Sequence, residues 1–316
     1  MSINPIFCGH GIWLELRPID GLKRYASYGA SLLPPDAKIT DLVDRFIDAL
    51  HAMKISSVWF EVFNRFGTID PDEKFGTKEL VDGLKANGIG AIPWGYCLGS
   101  YSEKGVDPKK DNLGLARSLC EKYKLDMFCA DIEPGNNWDI NMPDGTTKTL
   151  YDTWSSDAIE ALVKGLVDTF SKSGVGISSF ANIDENQQSE ARAIIVPVAP
   201  LVSFCAPQIY WNKRDPLDWA RKSLLSWRNA GVKTNLIATT QSYWELSEHT
   251  GSRTDMEAKL AAFLAGFHDS EYGKIVGLNW YHAGKGTNPE SQGGMSQAMI
   301  DAIAKARLDQ KPYLKP

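Results

Sequence analysis

The sequence predicts an α/β fold, a single (β/α)8 barrel, and three observations carry that prediction. Short apolar runs recur eight times across the 316-residue chain. Amphipathic helical patterns lie between them. Four of the helical stretches end on a glycine that leads straight into the next apolar run. Alternating strands and helices imply parallel strands joined by right-handed crossovers, and eight such units close naturally into a barrel. An open doubly wound sheet is the alternative. No Gly-x-Gly-x-x-Gly or phosphate-binding loop follows any run, which removes its commonest signature. Residues 1–316 are expected to form one barrel domain, with a solvated tail over 306–316.

The first run is GIWLEL, residues 11–16. Ile39, Leu42, Val43, Phe46 and Leu50 then recur at the three-and-four spacing of one buried helical face. Strand two is SSVWFEVF (56–63). Gly88 closes the next helix ahead of strand three, IGAIPWGY (89–96). Strand four is DMFCADIE (126–133), and Gly174 precedes strand five, VGISSFA (175–181). Strand six is VSFCAPQIY (202–210). Gly231 precedes strand seven, TNLIATTQ (234–241). The TDME stretch from Thr254 to Glu257 reads as a capping box, and Gly273 introduces strand eight, KIVGLNWY (274–281). At each of the four helix ends a glycine can take the left-handed conformation that closes a helix.

Bulk properties exclude several classes of function. Hydrophobic residues make up 43% and charged residues 23%, ordinary for a soluble globular protein. A formal net charge of -5 with no large Lys/Arg cluster argues against a nucleic-acid partner or an anionic membrane surface. No apolar stretch approaches the length of a membrane span, so no membrane insertion is expected. The N-terminus lacks the basic start and apolar core of a secretory signal. Cys8, Cys97, Cys120, Cys129 and Cys205 are odd in number and widely spaced, as buried reduced thiols are. Cys8 and His10 are the nearest approach to a metal-ligand pair, but further ligands are missing. Neither a metal nor a cofactor is called for.

Catalysis in such a barrel sits at the C-terminal ends of the strands. Unusual residues gather there. Strand one ends in Glu15 and Arg17; strand two carries Glu61 and Asn64; strand three ends in Trp94 and Tyr96. Strand four ends in Asp131 and Glu133. Strand six ends in Gln208, Tyr210 and Trp211, strand seven in Gln241 and Tyr243, and strand eight in Asn279, Trp280, Tyr281 and His282. Alternation along strand four puts Met127, Cys129, Asp131 and Glu133 on one face, and Phe128, Ala130 and Ile132 on the other. The second set is apolar and suits the helices. The acidic pair therefore points into the barrel mouth, its backbones about 6.6 Å apart.

Paired carboxylates in an aromatic-lined cleft suit glycoside hydrolysis. One stays protonated to donate to the leaving oxygen; the other stabilises or attacks the oxocarbenium-like centre. Apolar sugar faces stack on rings, while sugar hydroxyls need amides and carboxylates. Trp94, Tyr96, Trp138, Tyr210, Trp211, Tyr243 and Trp280 are candidate platforms, and Glu15, Glu61, Gln208, Gln241 and Asn279 are candidate polar contacts. The estimated spacing lies between the retaining and inverting ranges, so direct attack, acetamido participation and water activation all stay open.

The CADIEPG motif at the end of strand four resembles the corresponding motif of the family 25 muramidases, which are (β/α)-barrel lysozymes. PQIYW and GLNWY are similar to the late-strand endings of that family. Strand one departs from it: the family begins with an acidic Gly-x-Asp, and here only Glu15 lies nearby. The strand-four motif also resembles that of family 18 chitinases, Asp-Gly-x-Asp-x-Asp-x-Glu. Asp126, Asp131 and Glu133 stand in register with it, and Cys129 replaces the second aspartate. Tyr210 resembles the strand-six tyrosine that helps hold the substrate's acetamido group. Both resemblances imply an N-acetylated amino-sugar substrate, with Glu133 as general acid and Asp131 as the residue that steadies developing positive charge. On this reading like-charge repulsion raises the pKa of Glu133, and Asp131 stays ionised with help from Gln208 or Tyr210.

The function expected is therefore a glycosidase cleaving an amino-sugar polysaccharide, above all peptidoglycan. A cytoplasmic product without a signal would then reach the cell wall by a non-Sec route, as a lysin or an injected effector. The alternative is a catalytically silent glycan-binding barrel within a larger particle.

Overall fold

Eight parallel strands close on themselves in the computed structural model. It describes residues 4–14, 37–64, 67–98, 100–101, 111–141, 145–183, 189–245, 252–267, 275–282, 292–293 and 295–308. The strands are β1 (Gly9–Leu14), β2 (Ser57–Asn64), β3 (Gly90–Cys97), β4 (Phe128–Ile132), β5 (Val175–Phe180), β6 (Phe204–Ile209), β7 (Asn235–Gln241) and β8 (Ile275–His282). Each pairs with its sequence neighbours, and β1 pairs with both β2 and β8, which closes the cylinder. All eight fall on the expected runs, with ends displaced by a few residues.

The helices are α1 (Ile39–Met53), α2 (Thr77–Ala86), α3 (Asn112–Tyr123), α4 (Ser156–Phe170), α5 (Ser189–Val198), α6 (Pro216–Asn229), α7 (Arg253–Gly266) and α8 (Gln297–Ala306). On α1 the expected face is buried, with Leu42, Val43, Phe46 and Leu50 joined by Ile47 and Met53. The helices' buried side chains share one apolar cluster with the outward-facing residues of the strands, among them Phe128, Ala130 and Ile132. The sequence is therefore apolar on the outer face of each strand because that face is covered by helices.

Three expectations about helix ends are corrected. Gly88 and Gly231 do adopt left-handed backbone, with φ of 68° and 97°. Gly174 does not; the helix ends instead at Ser171, which has a positive φ of 61° but an extended ψ of 163°. Glycine is needed at 174 for space, since a Cβ there would lie 2.6 Å from the Asp126 carbonyl oxygen. Gly273 lies outside the described residues. The capping box at α7 pairs Ser252 with Asp255 rather than Thr254 with Glu257. Reciprocal bonds of 3.1 Å and 3.0 Å satisfy Asp255 N–H and Ser252 N–H there. At the C-terminus α8 runs to Ala306 and Leu308 is buried, so the solvated tail does not begin at 306.

Inside the barrel, large rings fill the space. Trp13 stacks on Trp59 at 4.8 Å, Trp94 tilts against Trp13 at 5.4 Å, and Phe204 meets Phe7 at 4.6 Å. Ile92, Met127, Cys129, Ala206 and Ile237 complete this filling. The interior is a packed apolar floor beneath the C-terminal ends of the strands. All five cysteines are buried free thiols, and burial pushes Cys120 and Cys205 up to about 12.

Gly176 makes room for this floor. A Cβ at that position would lie 1.8 Å from the Phe204 ring. Gly176→Ala is therefore expected to lower the unfolding free energy by about 1–3 kcal/mol through overpacking. Urea denaturation reads this directly; an unchanged midpoint would contradict the packing.

Candidate active site

Strand β4 ends at Ile132, and the chain continues as Glu133-Pro134-Gly135-Asn136. Asp131 is the last inward-facing residue of the strand, above Cys129 and Met127. In register, Tyr96 of β3 lies on one side of it and Ser178 of β5 on the other. Gln208 of β6 donates its Nε2–H to Asp131 Oδ1 at 2.8 Å and to Ser178 Oγ at 3.2 Å. Three strands thus converge on one carboxyl group.

Asp131 and Glu133 are only 6% and 9% exposed, and Glu61 of β2 is 4% exposed. Burial raises the pKa of Asp131 well above the usual carboxylate range; the neighbouring charges of Glu133 and then Glu61 push it further up. Hydrogen bonds from Ser178 and Gln208 work in the other direction and do not prevail. The sequence reading had Asp131 ionised. The structure buries it, and burial favours its protonated form relative to an ordinary aspartate.

Glu133 sits at the start of a tight turn. Asn136 N–H donates to the Glu133 carbonyl at 3.2 Å, and Asn136 Nδ2–H donates to Glu133 Oε2 at 2.5 Å. Gly135, at φ 77°, supplies the positive φ that a type II turn requires at its third position. The chain then enters a small antiparallel sheet, in which Asn137–Asn141 pairs with Thr147–Thr153 and the latter with Ser100–Tyr101. Trp138 pairs with Leu150 in this sheet. The loops after β3 and β4 are thereby joined.

On the other side of the mouth stand three half-buried tyrosines. Tyr210 stacks on Tyr281 at 4.8 Å and 24°, and Tyr243 meets both rings edge-on at 6.4 Å and 6.1 Å. They follow β6 and β7 and end β8, so three consecutive strands present rings at one edge of the barrel. Tyr281 belongs with Tyr210 and Tyr243, although alternation alone had to separate it from Trp280.

Several candidates fall elsewhere. Trp280 and Trp211 are fully buried and pack on Phe263 of α7, at 6.0 Å and 5.0 Å, between barrel and helices. They cannot stack on a sugar. Trp94 fills the barrel interior, with Nε1–H on the Leu14 carbonyl at 3.2 Å. Asn279 is also buried, 1% exposed, its Oδ1 2.4 Å from where a Gly11 Cβ would be. Gln241 is fully buried and occupied by main chain: Oε1 accepts from Asn212 N–H at 2.9 Å, and Nε2–H donates to the Tyr243 carbonyl at 3.1 Å. It ties the loops after β6 and β7 together. Glu15 and Arg17 lie outside the described residues.

Ser178 and Asn136 are the residues that sequence reasoning missed. Alternation in VGISSFA already put Ser178 on the inward face, and Pro-Gly followed by asparagine already signalled a turn folding back on Glu133.

No protein-family model matches the chain, and no curated protein matches it in sequence. Solved structures do resemble it. Active domain 2 of a thermostable chitinase from Pyrococcus furiosus, seen with chito-oligosaccharides, has a TM-score of 0.54 at 9% identity, covering 96% of this chain and 95% of that one. A GH113 β-1,4-mannanase gives 0.53 at 10% identity over 97% and 100%. The glycoside hydrolase domain of PgaB from Bordetella bronchiseptica gives 0.52 at 12% identity over 87% and 94%. What they share with this chain is the (β/α)8 barrel.

The raised pKa of Asp131 has a consequence for stability. A carboxyl that keeps its proton in the folded state but loses it on unfolding, at about pH 4, makes the protein less stable as pH rises above that value. Asp131→Asn removes the penalty. The variant is expected to melt above the unaltered protein at pH 7, with a smaller difference at pH 4. Melting curves at the two pH values check this; a variant that loses stability more at pH 7 than at pH 4 would contradict it.

Proposed function

We propose that this protein is a glycoside hydrolase acting on an N-acetylated amino-sugar polymer, with peptidoglycan as the favoured substrate. The observation that carries the reading is the buried Asp131–Glu133 pair at the end of β4, above an apolar floor and beside the tyrosine wall. A low-dielectric site strengthens each charge interaction, and a paired carboxyl system there favours keeping one acid protonated near neutral pH. The chitinase and PgaB domains of like fold support a glycan substrate, and the strand-four motif supports amino sugars within that class.

Glu133 is the general acid in this reading. Its proton passes to the glycosidic oxygen as the bond from the anomeric carbon to that oxygen breaks, and the bonding electron pair leaves with the oxygen. The positive charge left on the sugar is steadied on the side of Asp131 by the sugar's acetamido oxygen, which the Asp131 carboxyl orients by hydrogen bonding. A water molecule then adds to the anomeric carbon and returns a proton to the Glu133 carboxylate. The balance is one glycosidic bond and one water consumed, and two hydroxyl groups formed. Tyr210, Tyr243 and Tyr281 offer ring faces to the sugar, and Gln208 holds Asp131 in place.

Glu133→Gln keeps the size of the side chain and removes the proton. It is expected to reduce turnover on a soluble amino-sugar oligomer by about 10²–10⁴-fold. It should likewise abolish the loss of turbidity that the unaltered protein causes in purified cell walls. If the variant clears walls as fast as the unaltered protein, Glu133 is not the acid. If the unaltered protein binds walls and cleaves nothing, the silent glycan-binding barrel is the better description.

A further inference from the structure

The turn after β4 does more than end the strand. Asn136 returns to Glu133 twice, with its backbone N–H on the Glu133 carbonyl and its side-chain amide on Oε2. The first bond closes the turn and the second reaches the carboxyl group itself. Pro134 and Gly135 fix the loop between them: proline presets the first central φ of the turn, and Gly135 takes the positive φ of the second. Asn136 is half-buried, and the antiparallel strand Asn137–Asn141 begins at the next residue.

We infer that Asn136 is a positioning residue that selects which oxygen of Glu133 delivers the proton. This rests on the proposed role of Glu133 as the acid. An amide N–H is best received by the carbonyl-type oxygen of a protonated carboxyl group, so donation to Oε2 assigns the proton to Oε1. The same bond fixes the carboxyl plane relative to the strand end, and proton transfer is sensitive to such placement. Asn136 is also the first link to the sheet formed by the loops after β3 and β4. Contacts made by a substrate with that sheet are therefore transmitted to the orientation of the acid.

The test separates proton delivery from general damage by changing the leaving group. A glycoside with a dinitrophenolate leaving group breaks without protonation, whereas a sugar leaving group needs the acid. For Asn136→Ala, kcat/KM on N-acetylated chitotetraose is expected to fall about 10–10²-fold, carried by kcat with KM nearly unchanged. On the dinitrophenyl glycoside of di-N-acetylchitobiose it should fall less than about 3-fold, because positioning of the proton no longer matters there. Equal losses on both substrates, or none on either, overturn the inference while leaving Glu133 as the acid. If the unaltered protein cleaves neither glycoside and does not clear purified cell walls, the proposed function is what fails. A second measurement decides the pairing itself and needs no activity. The Asn136 side-chain amide NMR signals should move with pH in the unaltered protein and lose that movement in Glu133→Gln. Asp131, Glu190 (its Oε2 3.2 Å from where a Gly135 Cβ would be) and Glu61, which acts on Asp131, are other carboxyl groups near the site. If the movement survives in Glu133→Gln, it belongs to one of them and the assignment falls.

Discussion

The site depends on one costly arrangement, the burial of Asp131 beside Glu133 and above a floor of tryptophan and phenylalanine rings. Desolvating a carboxylate is expensive, and a second acid two residues away adds repulsion rather than relief. Gln208 and Ser178 offset part of this with hydrogen bonds, but the pKa stays raised well above the ordinary carboxylate range. The barrel makes this tolerable. Strands β4, β5 and β6 hold Asp131, Ser178 and Gln208 on rigid backbone, so the bonds that remain cost little extra ordering. The same rigidity keeps the two carboxyl groups from separating into solvent.

Much of the barrel was legible because its strands are covered by helices on the outside. Outward positions such as Phe128, Ala130 and Ile132 must be apolar, which produces the eight runs. The inward positions are apolar only as far as the floor extends. Asp131 stands out because it lies just above that limit, where Cys129 beneath it is still packed in the core. The polar change at the end of β4 thus marks the boundary between filling and cleft.

The rest was harder to read for specific reasons. Asn279, Trp280 and Tyr281 are consecutive, so a strand cannot turn all three inward; Tyr281 faces the mouth and Trp280 the helices. Trp211 follows the end of β6, where alternation no longer applies, and Phe263 decides its direction. Gln241 looked like a substrate amide, but two loop backbones claim both ends of it. Trp94 and Asn279 have the right facing and the wrong depth. Depth is set by the stagger of neighbouring strands, which no single run of sequence reports. Asn136 had a readable turn around it, and its importance lies in a contact with a side chain three residues back.

The cleft is therefore asymmetric. Acids and the Asn136 turn lie on the side of β2 to β4, and tyrosine rings lie on the side of β6 to β8, with Gln208 between them. The central claim is that burial beside Glu133 raises the pKa of Asp131 above that of an ordinary aspartate. Carboxyl-carbon NMR of the protein labelled at aspartate and glutamate, followed from pH 3 to pH 9, tests it most directly. The account predicts that the Asp131 carboxyl titrates above the ordinary aspartate range, and that its titration moves to lower pH in Glu133→Gln. An Asp131 signal that titrates near pH 4 in the unaltered protein would contradict it.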